Sequence, residues 1–327
     1  MKLSLSLACG PYDRTRALLS GDVGIEGCDI NPVALTPEES FYRSFGESQF
    51  DISELSFSTY LIQKSRGHCD YVGIPAFLSR MFRHSAIYVR TDRIRAPDDL
   101  KGARVGVPEY QVTAAVWVRG LLEDEYGVAP ADLNWISGGV EEVGRIEKTA
   151  ISLSDDIRIS SAPGRPLSAM LVDGEIDAIV APRPPSCFLR GSENIGRLFP
   201  DYRAIEAAYF RKTGIFPIMH LVGIRKSLVE KHPWLPASVM KAFEQARRLC
   251  FGPLHDTTAL HVSLPWLVAE AEATEQIMGK DFWPYGVEKN WHVLETLLDY
   301  HHKQQLSPRR LTVQELFAPG SAAEVKI

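Results

Sequence analysis

Over the first 90 residues, apolar and polar positions alternate between two periods. Leu3-Ser4-Leu5-Ser6-Leu7 repeats every second residue, as a strand with one buried face does, whereas stretches such as 37–45 return an apolar residue every three or four. The pattern predicts strands over 3–8, 28–35, 50–55 and 71–77, separated by helices over 14–19, 37–45 and 58–64, which is the alternation of an α/β sheet. A second alternation begins at 101–107, where a strand passes through Pro108-Glu109-Tyr110-Gln111 into an amphipathic helix over 113–126. Strands over 134–137 and 177–181 follow, with a helix over 166–173 that Gly174 can cap. After a short strand at 220–224 the period becomes helical, over 238–250, 264–278 and 292–305. The expected fold is therefore a two-lobed α/β fold with a helical C-terminal part. Lobe 1 is expected to combine 1–95 with 195–327 and lobe 2 to hold 96–194, with the chain crossing near 86–90 and within 190–220. No internal repeat or long Gly/Ser linker interrupts the pattern, so each lobe should be compact.

At 327 residues, 45% of them hydrophobic, the chain can bury a sizeable core. The formal net charge of -5 gives no basic excess, so a nucleic-acid partner is not expected, and an anionic ligand must be held by locally placed Arg or Lys. Five cysteines (Cys9, Cys28, Cys69, Cys187, Cys250), odd in number and without a CxxC pair, read as free thiols in a reducing compartment. The opening run is too short for a secretory signal and reads as the first strand, and no apolar run approaches the roughly 18 residues of a membrane span. The expected location is cytoplasmic, with no membrane partner.

In open α/β sheets, ligands gather at the carboxyl ends of strands, where helix N-termini present unpaired N–H groups. That rule selects the loop Cys9-Gly10-Pro11-Tyr12-Asp13-Arg14, whose Arg14 can pair bidentately with a carboxylate or serve as a surface residue of an early helical turn. It also selects Glu54 to Thr59. N-capping suffices for Ser56 or Ser58 there, but Glu54, at the end of an apolar strand, needs a partner and can contact a hydroxyl group. The stretch 75–85 holds the densest chemistry: Arg80, Arg83 and His84 beside Phe77 and Phe82 suit an aromatic acid, the alternative being a solvated basic turn. In 108–113, Glu109, Gln111 and Thr113 precede or open a helix, so the loop can bind an anion or be capped by Thr113 alone. Arg183 projects from the rigid Ala181-Pro182-Arg183-Pro184-Pro185, and His220 opens a returning strand, as an acid/base or as a satisfied core histidine. His301-His302, His255 with His261, and His68-Cys69-Asp70 lack zinc-site spacing, and no GxSxG, Walker A loop or GxGxxG follows a strand. No cofactor or metal is indicated by any motif, though a divalent metal stays compatible with the sequence.

Three blocks carry a resemblance: 75–88 (PAFLSRMFRHSAIY), 209–220 (YFRKTGIFPIMH) with His232-Pro233-Trp234, and 281–286 (DFWPYG) with 307–317 (SPRRLTVQELF). On these, over nearly the whole chain, the sequence resembles the 4,5-dihydroxyphthalate decarboxylase family. The resemblance implies a type II periplasmic-binding-protein-like fold, two α/β lobes around a ligand cleft, used as a cytoplasmic enzyme. It implies loss of carbon dioxide from 4,5-dihydroxyphthalate to give protocatechuate in aromatic-acid catabolism. Protonating the ring carbon that bears the departing carboxylate makes a cationic intermediate that the para hydroxyl stabilises, so no electron-sink cofactor is needed. The protein must hold the retained carboxylate, polarise the para hydroxyl and protonate the ring. Arg14, Arg80, Arg83 and Arg183 are the candidate carboxylate ligands, with Tyr12, Ser56, Gln111 and Thr113 as further substrate contacts. Glu54 or Glu109 is the candidate for the hydroxyl, and His84 or His220 for the proton. The expected partner is a small aromatic dicarboxylate, with homo-oligomers open. Two alternatives share the fold: a solute-binding protein for a small aromatic or anionic ligand, and a lyase acting on another hydroxylated aromatic acid.

Overall fold

The computed structural model describes residues 2–162 and 164–321. In chain order its elements begin with β1 (Leu3–Cys9), α1 (Asp13–Ser20), β2 (Cys28–Ala34), α2 (Pro37–Glu47), β3 (Ile52–Ser56), α3 (Phe57–Ser65) and β4 (Tyr71–Arg80). They continue with β5 (Ile87–Arg90), β6 (Arg104–Val107), α4 (Thr113–Tyr126), β7 (Asn134–Ser137), β8 (Arg158–Ser161), α5 (Leu167–Asp173), β9 (Ala178–Val180), α6 (Ser186–Leu189), β10 (Ile195–Arg197) and α7 (Tyr202–Thr213). The chain closes with β11 (Ile218–Arg225), α8 (Lys226–Lys231), α9 (Leu235–Phe251), α10 (Leu267–Met278), α11 (Trp291–Lys303) and α12 (Val313–Leu316). Among the described residues no helix is long and apolar enough to cross a membrane. All five cysteines are free, three of them buried.

The chain divides into two compact units. The first takes the chain up to Arg80, Thr213–Glu295 and the described residues from Leu311 on, and the second takes Met81–Lys212 and Thr296–Arg310. These cuts differ from those expected at 95 and 195, because β5 pairs with β10 on one side and β9 on the other inside the second sheet. The region 190–220, expected to hold only a crossing, contributes β10 and all of α7.

In the first unit the sheet order is β2-β1-β3-β11-β4, with β11 antiparallel to both its neighbours. β3 is buried at all five positions, as a central strand covered on both faces must be. β4 runs on to Arg80, beyond the expected end at 77, because β11 pairs with it from Ile218↔Arg80 to Arg225↔Tyr71. Helix α9 lays Leu235, Val239, Phe243 and Ala246 along one buried stripe and packs on α1 and β4.

In the second unit the order is β10-β5-β9-β6-β7-β8. β8 is exposed along its length, an edge strand that hydrophobic periodicity does not reveal. Helix α4 is buried at every position from Thr113 to Leu122. The end of α11 is tied to it: Tyr300 Oη donates to Asp124 at 2.6 Å, Arg119 Nε donates to Gln304 at 2.7 Å, and Gln304 Nε2 donates to the Val116 carbonyl at 2.9 Å. These bonds explain why Thr296–Arg310 belongs with this unit. Gly120 makes the approach possible, since a Cβ there would stand 2.1 Å from the Tyr300 ring. Gly120→Ala should therefore destabilise the protein by about 1–3 kcal/mol, although alanine is the better helix former, and urea unfolding of the variant checks it.

Candidate active site

The period of the first sheet brings one acid and one imidazole together. Glu54 and Ser56 are two residues apart on β3 and share a face, and β11 runs antiparallel beside them in the register His220↔Ser56 and Val222↔Glu54. His220 is thus the diagonal neighbour of Glu54 on that face. On its other side, the pairing of β11 with β4 slips register between Ile218 and His220 and again between His220 and Val222, the kind of irregularity that re-aims a side chain.

The Glu54 carboxylate is fully buried and fully used. It accepts from the Gly10 backbone N–H at 2.9 Å, from Tyr12 Oη at 3.0 and 3.2 Å, and from His220 Nδ1 at 2.7 Å. Burial alone would raise its pKa, but the hydrogen bond and charge of His220, with the Gly10 and Tyr12 donors, hold it below the usual carboxylate range. An ionised carboxylate can only accept, so the Nδ1 of His220 carries its proton toward Glu54 and Nε2 is the edge of the ring outside that bond. The ring is half-buried and meets Phe41 edge-on, with centroids 4.8 Å apart.

Beside this pair stands a cation. Arg14, on the first turns of α1, donates from Nε to the Leu78 carbonyl at 2.6 Å and from Nη1 to Asp13 at 3.1 Å. Its guanidinium carbon lies 4.3 Å from the Tyr12 ring centroid and 4.4 Å from that of Trp283. Gly10, Tyr12 and Arg14 stand just beyond the carboxyl end of β1, where the sequence rule placed them, whereas Glu54 is the middle residue of β3, two positions before its end.

Other candidates are committed to structure. Arg80 donates to the Phe216 and Pro284 carbonyls and to Asn290 Oδ1, and is almost wholly buried, so it pins the 281–290 loop to the end of β4. Ser56 precedes α3 without making the expected cap bond and instead accepts from Thr59 Oγ1 at 3.3 Å.

In the second unit, Glu109 is 1% exposed and is held by Arg145 at 2.8 Å and by the Lys148 N–H at 3.2 Å. Gln111 turns its amide toward the Lys148 and Thr149 N–H groups, and Thr113 opens α4 while the cap position itself falls to Val112. Arg83 is buried, and desolvation pushes its pKa down to about 10. Arg183 is exposed.

His84 is 1% exposed among the rings of Phe199, Tyr126 and Tyr209, with no hydrogen bond to either nitrogen, and burial pushes its pKa down to about 4. Burial favours its neutral form, with Glu206 Oε1 4.0 Å from Nδ1, whereas His220 pairs with a carboxylate at hydrogen-bond distance and keeps part of its ring exposed. Glu54 and Glu109, the two carboxylates expected to polarise a hydroxyl, both have their oxygens occupied. Trp283 and Phe41 were not singled out in the sequence, although Trp283 lies in the 281–286 block that carries the resemblance. Among the described residues no group of three or more His, Cys, Asp or Glu is arranged to hold a metal ion.

The chain is 47% identical over 328 residues to the 4,5-dihydroxyphthalate decarboxylase of Comamonas testosteroni, an alignment covering 100% of this chain and 99% of that protein. It belongs to the 4,5-dihydroxyphthalate decarboxylase family. The Pseudomonas putida protein of the same name is 45% identical over 212 residues, 64% of this chain and 82% of its own length. No protein-family model matches the chain. Among solved structures, the periplasmic aliphatic sulphonate binding protein SsuA of Escherichia coli aligns over 97% of this chain and 98% of its own with a TM-score of 0.53 and 14% identity. The desulfurization enzyme DSZB aligns over 98% and 97% with a TM-score of 0.52, also at 14% identity. The fold of this decarboxylase family member is thus the periplasmic-binding-protein-like one that the resemblance implied.

The neutral state of His84 has a consequence for stability. Its pKa is about 4 when folded against an ordinary 6.5, so between those values the unfolded chain binds the extra proton. The contribution of His84 is intact above pH 6.5 and is lost as pH falls toward 4, by up to about 1.4 kcal/mol per pH unit. Urea unfolding at pH 7 and pH 5 should show a smaller acid-side loss in His84→Phe than in the parent.

Proposed function

We propose that this member of a carboxy-lyase family removes carbon dioxide from 4,5-dihydroxyphthalate to give protocatechuate, with His220 as the proton donor. The observation that carries the reading is the Glu54–His220 pair, because it supplies a fixed imidazole edge beside Arg14. Full-length likeness to a protein of that activity supports the substrate class.

In this mechanism Arg14 holds the carboxylate that is retained. The His220 Nε2–H adds its proton to the ring carbon bearing the other carboxylate, and the para hydroxyl donates electron density to the cation so formed. The bond from that carbon to the carboxylate then breaks and its electron pair restores the aromatic ring. Carbon dioxide leaves, the proton stays on carbon, and solvent returns a proton to His220. Glu54 is a positioning residue: it keeps the Nδ1 proton in place and stabilises the charged ring. The para hydroxyl acts here without help from Glu54 or Glu109.

The test is incubation of purified, metal-stripped protein with 4,5-dihydroxyphthalate, following carbon dioxide and protocatechuate with and without added divalent metal. Metal-free turnover, with one deuterium beside the retained carboxylate when the reaction is run in deuterium oxide, is the expected result. Turnover only with metal would move the search to other groups. Absence of turnover together with tight binding of an aromatic acid would favour a binding protein.

His220→Asn should lower kcat by roughly 10²–10⁴-fold. Arg14→Gln should act mainly on KM, raising it by about 10-fold or more, the loss of one charge-assisted hydrogen bond. Steady-state kinetics of the two variants separates these roles.

A further inference from the structure

Tyr12 belongs to two networks at once. Its hydroxyl lies 3.0 and 3.2 Å from the two oxygens of Glu54, while the face of its ring lies 4.3 Å from the guanidinium carbon of Arg14. The ring rests directly on Gly10, where a Cβ would stand 2.2 Å from its Cζ, so any larger residue there would displace it. The second ring on Arg14 is equally anchored: Trp283 Nε1 donates to the Phe77 carbonyl at 2.9 Å, and its ring meets Phe216 edge-on with centroids 5.4 Å apart.

We propose that Tyr12 is a positioning residue that sets the spacing between Arg14 and the Glu54–His220 pair, and that this spacing selects an aromatic acid carrying a second carboxylate next to the one that is lost. The inference rests on the reaction proposed above. Its chemical ground is that protocatechuate still carries a carboxylate para to a hydroxyl, so a second loss of carbon dioxide is open to it by the same steps. Its single carboxylate can sit on Arg14 or face His220, but not both. Discrimination is then geometric, and a rigid spacer shared by both points of attachment supplies it.

The experiment separates the ring of Tyr12 from its hydroxyl. Tyr12→Phe keeps the ring on Arg14 and removes the bond to Glu54, so kcat for 4,5-dihydroxyphthalate should fall about 10-fold or more while KM stays within about 2-fold. Trp283→Leu removes one ring from Arg14, so KM should rise about 10-fold with kcat within about 2-fold, and Tyr12→Leu should show both changes. Wild-type protein should leave protocatechuate intact. Calorimetry with phthalate, a dicarboxylate that lacks the hydroxyls, reads the same split without turnover: Kd should weaken about 10-fold in Trp283→Leu and Tyr12→Leu and stay within about 2-fold in Tyr12→Phe.

An unchanged kcat in Tyr12→Phe, one shared kinetic pattern for Tyr12→Phe and Trp283→Leu, or wild-type turnover of protocatechuate would each overturn the inference. If the wild-type protein turns over nothing, the proposed reaction falls by itself. The calorimetry then decides, with equal phthalate affinity in wild type and Trp283→Leu counting against the inference.

Discussion

A carboxylate without any solvent contact is the constraint around which the first unit is organised. Taking Glu54 out of water costs several kcal/mol unless its oxygens are satisfied, and leaving one unpaired would be strongly destabilising. The donors come from two distant parts of the chain, the Gly10 N–H and Tyr12 hydroxyl just after β1 and His220 from β11, with β3 supplying the acid itself. Closing this network therefore requires β1 and β11 to lie on either side of β3, which is the order the sheet has. The same bonds that make the burial tolerable fix the imidazole, so the stability of the strand order and the geometry of the site rest on one group.

Other buried polar groups show how much of a side chain's surroundings composition leaves unread. Arg80, Glu109, Gln111 and His84 all lie near strand ends or loops that the positional rule favours, and all prove to be engaged in structure. Arg80 ties a distant loop to β4, Glu109 closes an ion pair with Arg145, and His84 fills an aromatic cage as a neutral ring. Arg80 and Glu109 are held by partners remote in sequence, and His84 differs from His220 in its surroundings, aromatic rings in place of a carboxylate within hydrogen-bond distance.

Strand and helix positions were largely legible because period and turn chemistry are local. Helix α4 begins and ends where its pattern places it, and Gly174 takes the left-handed conformation expected of a cap. The exposed edge strand β8 and helix α7 escaped, the first because it has no buried face and the second because it lies in a stretch read as a crossing. Glu54 and His220 were each visible as chemistry at a strand end. Their partnership was not, because it depends on the register of β11 against β3, set by residues about 165 positions apart. Nothing in the sequence pattern marks Trp283 or Phe41, which the fold sets against Arg14 and His220.

A fold shared with a sulphonate-binding protein and a desulfurization enzyme leaves function to a handful of side chains at strand ends. Capturing an aromatic acid calls for a cation and an apolar face, and Arg14 between Tyr12 and Trp283 answers to that need by itself. A binder has no use for an imidazole whose inner nitrogen is fixed by a fully buried carboxylate, since a surface hydrogen-bond donor would hold a ligand at far lower desolvation cost. On the proposed reaction the Glu54–His220 pair does more than close the sheet: it presents one imidazole edge along one direction to a carbon that binds a proton poorly. That is the demand ring protonation makes, and it is why the pair, more than the cation, points from binding toward catalysis.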